Sequence, residues 1–401
     1  MNALRLAWAY LAARPLLAAL HVAMIAIGVA TLLLLILFTA QTERRLAADA
    51  QPVDLVVGAK GSPLQLILSS VLHADVPTGN IRYAEARKLA GHPMVALAVP
   101  LALGDSYRGF RIVGTTPDYL DLYGGRVAVG RAFEREMEAV IGADVARRAG
   151  VSTGARLAGS HGLAAGGPVH EAQPYVVVGV LAPSGTVLDR LVVTPLASVW
   201  HVHEAHHAEG THGAHHEHDE AEQDITAMLL RYRTPLAAAT LPRMVNATTM
   251  MQAASPAYEN ARLMNLVGVG VDAMRMFAAL LMATAAISVF VALTSALQER
   301  RHDLALLRML GARPATLAAL VAAEGVTLVG AGVILGFGLG HGATEALGRW
   351  LARTQPWSIT GFAFEPAELG VAAAVLAGGL LTSLVPAIQA YARDPALLLK
   401  R

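Results

Sequence analysis

The chain has 401 residues, of which 55% are hydrophobic and only 15% charged, against about 25% charged in an average soluble domain. The net charge of +1 excludes a global basic field for nucleic acid, and the absence of cysteine excludes disulfides, thiolate metal sites and a cysteine nucleophile. The mean hydropathy of +0.48 comes from a few long apolar runs.

The first run, Pro15 to Ala40, has 26 residues and no acidic or basic side chain except His21. A membrane span needs about 20. Arg5 and Arg14 make a basic start, and Ala48-Asp49-Ala50 looks like a cleavage site. The apolar stretch nevertheless exceeds the roughly 7–15 residues of a signal-peptide core, so it reads as a retained span.

The segment from about Gln41 to Val271 is long enough for its own core and for two subdomains. Its pattern predicts mixed α and β structure. Strands are expected over Val53–Val57, Met94–Leu103, Phe110–Gly114, Glu138–Ile141, Tyr175–Leu181, Leu191–Val193 and Ala227–Tyr232. Helices are expected over Leu64–Leu72 behind Ser62-Pro63, over Tyr83–Leu89, and from Gly142-Ala143-Asp144 to a stop at Gly150. Gly159 to Gly167 reads as a loop. Pro256 to Val269 reads as a helix running into the second span, which would join this domain firmly to the membrane.

Within this domain lies a histidine-rich loop, 201–224. It holds His201, His203, His206, His207, His212, His215, His216 and His218, interleaved with acids and free of Lys and Arg. Imidazole and carboxylate together suit zinc or a similar divalent metal. The same composition also fits a disordered, pH-responsive loop between strands. No Gly-x-x-x-x-Gly-Lys-Ser/Thr occurs, so the chain has no P-loop, and no Gly-x-Ser-x-Gly elbow is present. No catalytic residue is assigned.

Three more apolar runs follow: Met276–Leu297, Ala315–Gly342 interrupted by Glu324, and Leu369–Ile388. Four spans place both termini on one side. Arg5, Arg14, Arg300, Arg301, Arg308, Arg313, Arg393, Lys400 and Arg401 make that side the cytoplasm. The expected architecture is a membrane protein with four transmembrane helices and a large mixed α+β extracytoplasmic domain between helices 1 and 2. Its parts are residues 1–41, the outer domain 42–270, and a membrane domain 271–401.

Between the second and third spans lies a cation-rich amphipathic segment, 298–313, ending on a glycine. It reads Gln298-Glu299-Arg300-Arg301-His302-Asp303-Leu304-Ala305-Leu306-Leu307-Arg308-Met309-Leu310-Gly311-Ala312-Arg313. A short charged helix at a membrane face suits docking on a soluble partner, and its arginines suit carboxylates. In the third span Gly332, Gly336 and Gly340 recur every fourth residue, the spacing of close helix packing, against span four or a second copy. Glu324 lies about 15 Å along that helix from Pro314. It reads either as a switch or as a packing acid satisfied by His302 or an arginine.

Residues Glu299 to Ala312 strongly resemble the E-R-R-x-x-[ILV]-[AG]-[ILV]-[LM]-R-x-[LI]-G-[AM] signature of the FtsX-like permease domain, found in the MacB/LolC/FtsX type of ABC transporter membrane subunit. Glu324-Gly325, Pro386-Ala387 and Asp394-Pro395-Ala396 are similar to further marks of that family, and so is the order of one span, an outer domain and three spans. The outer domain, with Asp54-Leu55-Val56-Val57 near its start, resembles the MacB-like periplasmic core domain. The resemblance implies an inner-membrane subunit, not itself an enzyme, that works with an ABC ATPase on a separate chain and with a second permease copy or paralogue. Glu299, Arg300, Arg301, Asp303, Leu306, Leu307, Arg308, Leu310 and Gly311 would then form the coupling helix. It also implies mechanical work on an extracytoplasmic client: a lipoprotein, a lipid, a peptide or an efflux partner. Two other readings stay open, an FtsX-like regulator of a cell-wall hydrolase and a metal-responsive accessory membrane protein.

Overall fold

The computed structural model describes residues 9–162, 173–202, 223–299, 306–354 and 359–392. The chain divides into two compact units, Glu43–Leu266 and the combination of Met1–Thr42 with Val267–Arg401.

The unit Glu43–Leu266 is built on a mixed sheet. Its strands are β1 (Leu55–Ala59), β3 (Val95–Tyr107), β4 (Phe110–Thr115), β5 (Val127–Gly130), β6 (Glu138–Ile141), β7 (Arg156–Leu157), β8 (Ser160–His161), β9 (Tyr175–Leu181), β10 (Leu191–Pro195), β12 (Ala227–Tyr232) and β13 (Met251–Ala254). The order is β13-β1-β12-β3-β4-β10-β6-β9-β5, with β7 on β9 and β8 on β3. Two short strands, β2 (Ile81–Arg82) and β11 (Asp224–Ile225), pair separately. Strands β4–β10 and β6–β9 are parallel; the other neighbours along the order run antiparallel.

The long β3 joins two halves. Its first part pairs with β12 and its second with β4, and the register shifts between Leu103 and Ser106. Each half has its own core. Leu55, Val57, Val95, Met228, Leu230, Leu241 and Val245 fill one. Ile112, Ile141, Val145, Leu157, Tyr175 and Val192 fill the other. The expected two subdomains are therefore two cores within one sheet. Central strands are covered on both faces, so β1 and β4 are buried along nearly their whole length rather than at alternate residues, Arg111 and Thr115 of β4 included.

Helix Pro63–Ser70 starts where expected, with Ser62 Oγ accepting the Gln65 amide and Pro63 in its first turn. Helix Ala143–Ala149 ends at Gly150, whose φ of +66° is a left-handed cap. Several elements were not expected, among them helix Asp118–Leu122, the short strands β2, β7 and β11, and β8, which lies at Ser160–His161 inside the segment Gly159–Gly167 expected as a loop. Helix Leu236–Thr248, also unexpected, contains Pro242, which reads as a breaker. Strand β13 has no β-branched residue, and β5 is a four-residue exposed edge.

Four helices are long and apolar enough to cross a membrane, Pro15–Ala50, Pro256–Glu299, Pro314–Ala352 and Pro366–Gln389; the last two lie wholly in the other unit, and the first two have residues 43–50 and 256–266 in the unit Glu43–Leu266. They are called spans one to four here. The third runs on as helix to Thr354, past its expected end at Gly342. Ile25, Val29 and Leu33 of span one, Val289, Leu293 and Leu297 of span two, Leu320, Val321 and Val329 of span three and Val375 of span four share one buried cluster.

Candidate functional site

The segment 298–313 between spans two and three is described to Glu299 and again from Leu306; Arg300, Arg301 and Asp303 lie outside the described residues. From Leu306 its end has a defined chemistry. Gly311 has φ +92°, its N–H donates to Arg308 O at 3.0 Å, and the Ala312 N–H donates to Leu307 O at 3.0 Å. These two bonds across a left-handed residue make a Schellman cap, and glycine adopts that φ without a Cβ penalty. Pro314 then opens span three. Leu307 packs on the membrane cluster. Leu306, Met309 and Leu310 are 43%, 59% and 84% exposed. The segment thus turns one apolar side chain inward and leaves three outward.

Glu299 is tied from the other side. The Arg14 guanidinium, just ahead of span one, donates to its carboxylate, and both side chains are about half exposed. The sequence carried a signal for this pair that went unread: Arg14 and Glu299 stand at the ends of two spans on the same, inner face. Beside them lies a cavity of about 330 Å³ lined by Tyr10, His21, Ser295 and Glu324 among others. Glu324 is buried, 5% exposed. Of the partners expected for it, His302 or an arginine, His302 lies outside the described residues.

The glycine ladder requires a correction. A Cβ on Gly332, Gly336 or Gly340 would stand 2.7, 2.7 or 2.9 Å from the Cβ of Ile25, Val29 or Leu33. The ladder therefore packs on span one, not on span four or a second copy. Both helices repeat every four residues at the crossing, so three small positions meet three side chains in register. Span four approaches elsewhere, at Gly325 against Ser383 and at Gly379 against Val329. Gly338 and Gly342 face nothing within 4 Å.

Of the histidine tract, His201 is described and exposed; His203, His206, His207, His212, His215, His216 and His218 lie outside the described residues. Among the described residues no group of three or more His, Asp or Glu is placed to hold a metal ion.

The outer unit also holds a buried polar cluster that sequence periodicity did not reveal. The imidazole Nε2 of His73 lies 3.0 Å from the Tyr119 hydroxyl. Tyr123 donates to Asp49 O at 3.1 Å, and Arg190 bridges Asp49 Oδ2 at 2.5 Å and Leu72 O at 3.3 Å. Burial, followed by the charges of Arg111 and Arg190, holds His73 well below the usual histidine range. Burial likewise raises Tyr119 and Tyr123 far above theirs, so both hydroxyls stay protonated.

Comparison with known proteins places these features. The MacB-like periplasmic core domain matches residues 18–257, and the FtsX-like permease C-terminal domain matches residues 275–395. Comparison with curated proteins gives no match. Among solved structures, the periplasmic region of MacB from Actinobacillus actinomycetemcomitans aligns at 9% identity and TM-score 0.34, over 55% of this chain and 98% of that one. The extracellular domain of the noncanonic ABC-type transporter YknZ from Gram-positive bacteria aligns at 15% identity and TM-score 0.30, over 50% and 98%. With the two domains matched in this order over most of its length, the chain belongs to the FtsX-like, MacB-type family of ABC transporter permeases, multi-pass inner-membrane proteins with a periplasmic domain.

Proposed function

We propose that this permease couples ATP hydrolysis by a separate ATPase subunit to movement of its periplasmic domain, and that this movement acts on a client outside the membrane. The observation that carries the reading is the Schellman-capped segment between spans two and three. Its Leu306, Met309 and Leu310 point away from the membrane cluster while Leu307 anchors it there. Exposed leucine and methionine flanked by Arg308 and Arg313 suit a groove with an apolar floor and an acidic rim.

Further support comes from what lies on either side. The Arg14–Glu299 pair and the Gly332–Gly340 ladder join span one to the start of the segment and to span three. Push on the segment would thus reach span one as well as spans two and three. The helices Pro15–Ala50 and Pro256–Glu299 each contain residues of both units. Two ATPases acting together need two docking segments, so a pair of permease copies is part of the proposal. The client is an export or extraction substrate of the lipoprotein, lipid, peptide or efflux-partner kind.

The test is recovery of the partner. A tagged chain purified from its own host membrane in mild detergent is expected to bring down an ABC ATPase in near-equal amount. Leu310→Asp is expected to insert and fold normally but to lose that ATPase. Absence of an ATPase from the unmodified chain, or full retention by the variant, would overturn the proposal.

A further inference from the structure

The outer ends of spans three and four meet at a pair formed by a half-buried histidine and a fully buried glutamate. His341 places Nδ1 2.6 Å from the carbonyl oxygen of Gly361 and Nε2 3.0 Å from Oε2 of Glu368. The Glu368 side chain is 0% exposed and that of His341 27%. Glu368 is the third residue of the helix Pro366–Ala392, and its Oε1 accepts the Glu365 backbone N–H at 2.9 Å, half of a capping box. Both carboxylate oxygens are therefore committed.

The loop between them, 359–365, lies directly on span three. A Cβ on Gly361 would stand 2.1 Å from His341 O, and one on Gly348 1.8 Å from Ile359 O. Glu345 Oε2 accepts the Gly361 N–H at 3.0 Å and the Thr360 hydroxyl at 3.1 Å. Gln41 of span one exchanges two bonds with the Thr360 backbone, at 2.9 and 3.0 Å.

The proton inventory of the pair is restrictive. A backbone carbonyl only accepts, and an ionised carboxylate only accepts. Serving both from one imidazole takes two N–H groups, which is the imidazolium. The equivalent arrangement is a neutral ring with Nδ1–H facing Gly361 and a protonated Glu368 donating to Nε2. In either form the pair holds one proton more than neutral histidine plus carboxylate. Without it, a single N–H faces two acceptors, and either Gly361 or Glu368 loses its bond.

We propose that His341 and Glu368 form a proton-binding site on the periplasmic face of the membrane unit. Protonated, it clamps the loop 359–365 onto span three; when the proton leaves to the outside solvent, the clamp releases. Among the described residues of the membrane unit, the other charged groups bonded around the site are Glu345 and Arg349 on span three, which pair with each other at 2.9 Å, and Glu365 on the loop; span one contributes the uncharged Gln41. Arg349 offsets the charge of Glu345, which leaves Glu368 as the carboxylate at contact distance from the ring.

The absence of cysteine makes the test direct. Ile359 is 5% exposed and Phe362 86% exposed. Ile359→Cys reports the loop and Phe362→Cys serves as reference. In the full chain in sealed vesicles, each thiol is alkylated from the periplasmic side by a membrane-impermeant maleimide, at a series of external pH values from about 5 to about 8. The 359-to-362 rate ratio is expected to rise several-fold with pH. In Glu368→Gln the carboxamide N–H serves Nε2 at every pH and its oxygen still accepts from Glu365, so the ratio should stay low and flat. In His341→Ala it should be high and flat. A flat ratio in the otherwise unchanged chain, or an undiminished rise in Glu368→Gln, would overturn the proposal.

Discussion

His73 is a single buried base through which acid can act on the stability of the periplasmic unit. It is 6% exposed, and the neighbouring guanidinium of Arg111 remains charged, its own pKa lowered only to about 10 by burial. Native His73 is therefore neutral, while the unfolded chain takes up a proton near the ordinary value of about 6.5. The sign follows: stability is full above that value and falls as pH drops below it, by about 1.4 kcal/mol per pH unit, until the native group itself protonates. Glu138 does not contribute in that window. Its bonds from Arg131 and from the amides of Glu134 and Arg135 hold it at about 2, so its contribution is lost only as pH falls through that far lower value. The melting temperature of the full chain should drop between about pH 7 and pH 5, and His73→Gln should drop much less. Equal slopes for the two proteins would remove His73 as the cause. Nothing in Leu72-His73-Ala74-Asp75 announces this burial, because it depends on Tyr119 and Arg111, which are distant in sequence.

At the scale of elements, two glycine features make opposite demands. The ladder glycines are needed for space and Gly311 for its dihedral angle. Gly336→Leu would drive a side chain into Val29 and the Ala26 carbonyl, 2.9 Å from a Cβ, and is expected to destabilise by about 1–3 kcal/mol. Gly338→Ala meets nothing within 4 Å and should be neutral. Matching melting temperatures for the two variants would show that spans one and three do not pack through the ladder. Gly311→Val forces a β-branched residue to φ +92° and should cost about 1–2 kcal/mol locally, fraying the segment's end. The expected readout is weaker ATPase recovery with unchanged membrane insertion. Full recovery would mean the cap is dispensable. The sequence made both features visible, the ladder by its four-residue spacing and the stop by glycine after a leucine. The ladder's partner was not visible, because Ile25, Val29 and Leu33 look like any lipid-facing stripe. Strands β6, β9 and β12 were readable to the residue, since apolar runs between turns are local signals. Helix Leu236–Thr248 was hidden by Pro242, whose cost is absorbed by burial of Leu241 and Val245.

For the whole molecule, length and hydropathy were enough to give four spans and one large insert, because membrane insertion depends on long-range composition rather than on particular contacts. The order of the sheet and its division at β3 were not legible, since strand order is set by non-local pairing. The central claim is that the permease carries motion from a cytoplasmic ATPase to the periplasmic unit. It is tested most directly by a distance that spans both. Spin labels on Val129→Cys in β5 and Leu369→Cys near the outer end of span four can be placed on exposed sites in a chain with no native cysteine. In bilayers with the partner ATPase, a non-hydrolysable ATP analogue is expected to shift the label-to-label distance distribution, and Leu310→Asp to abolish the shift. An unchanged distribution with ATPase and nucleotide both bound would contradict the account.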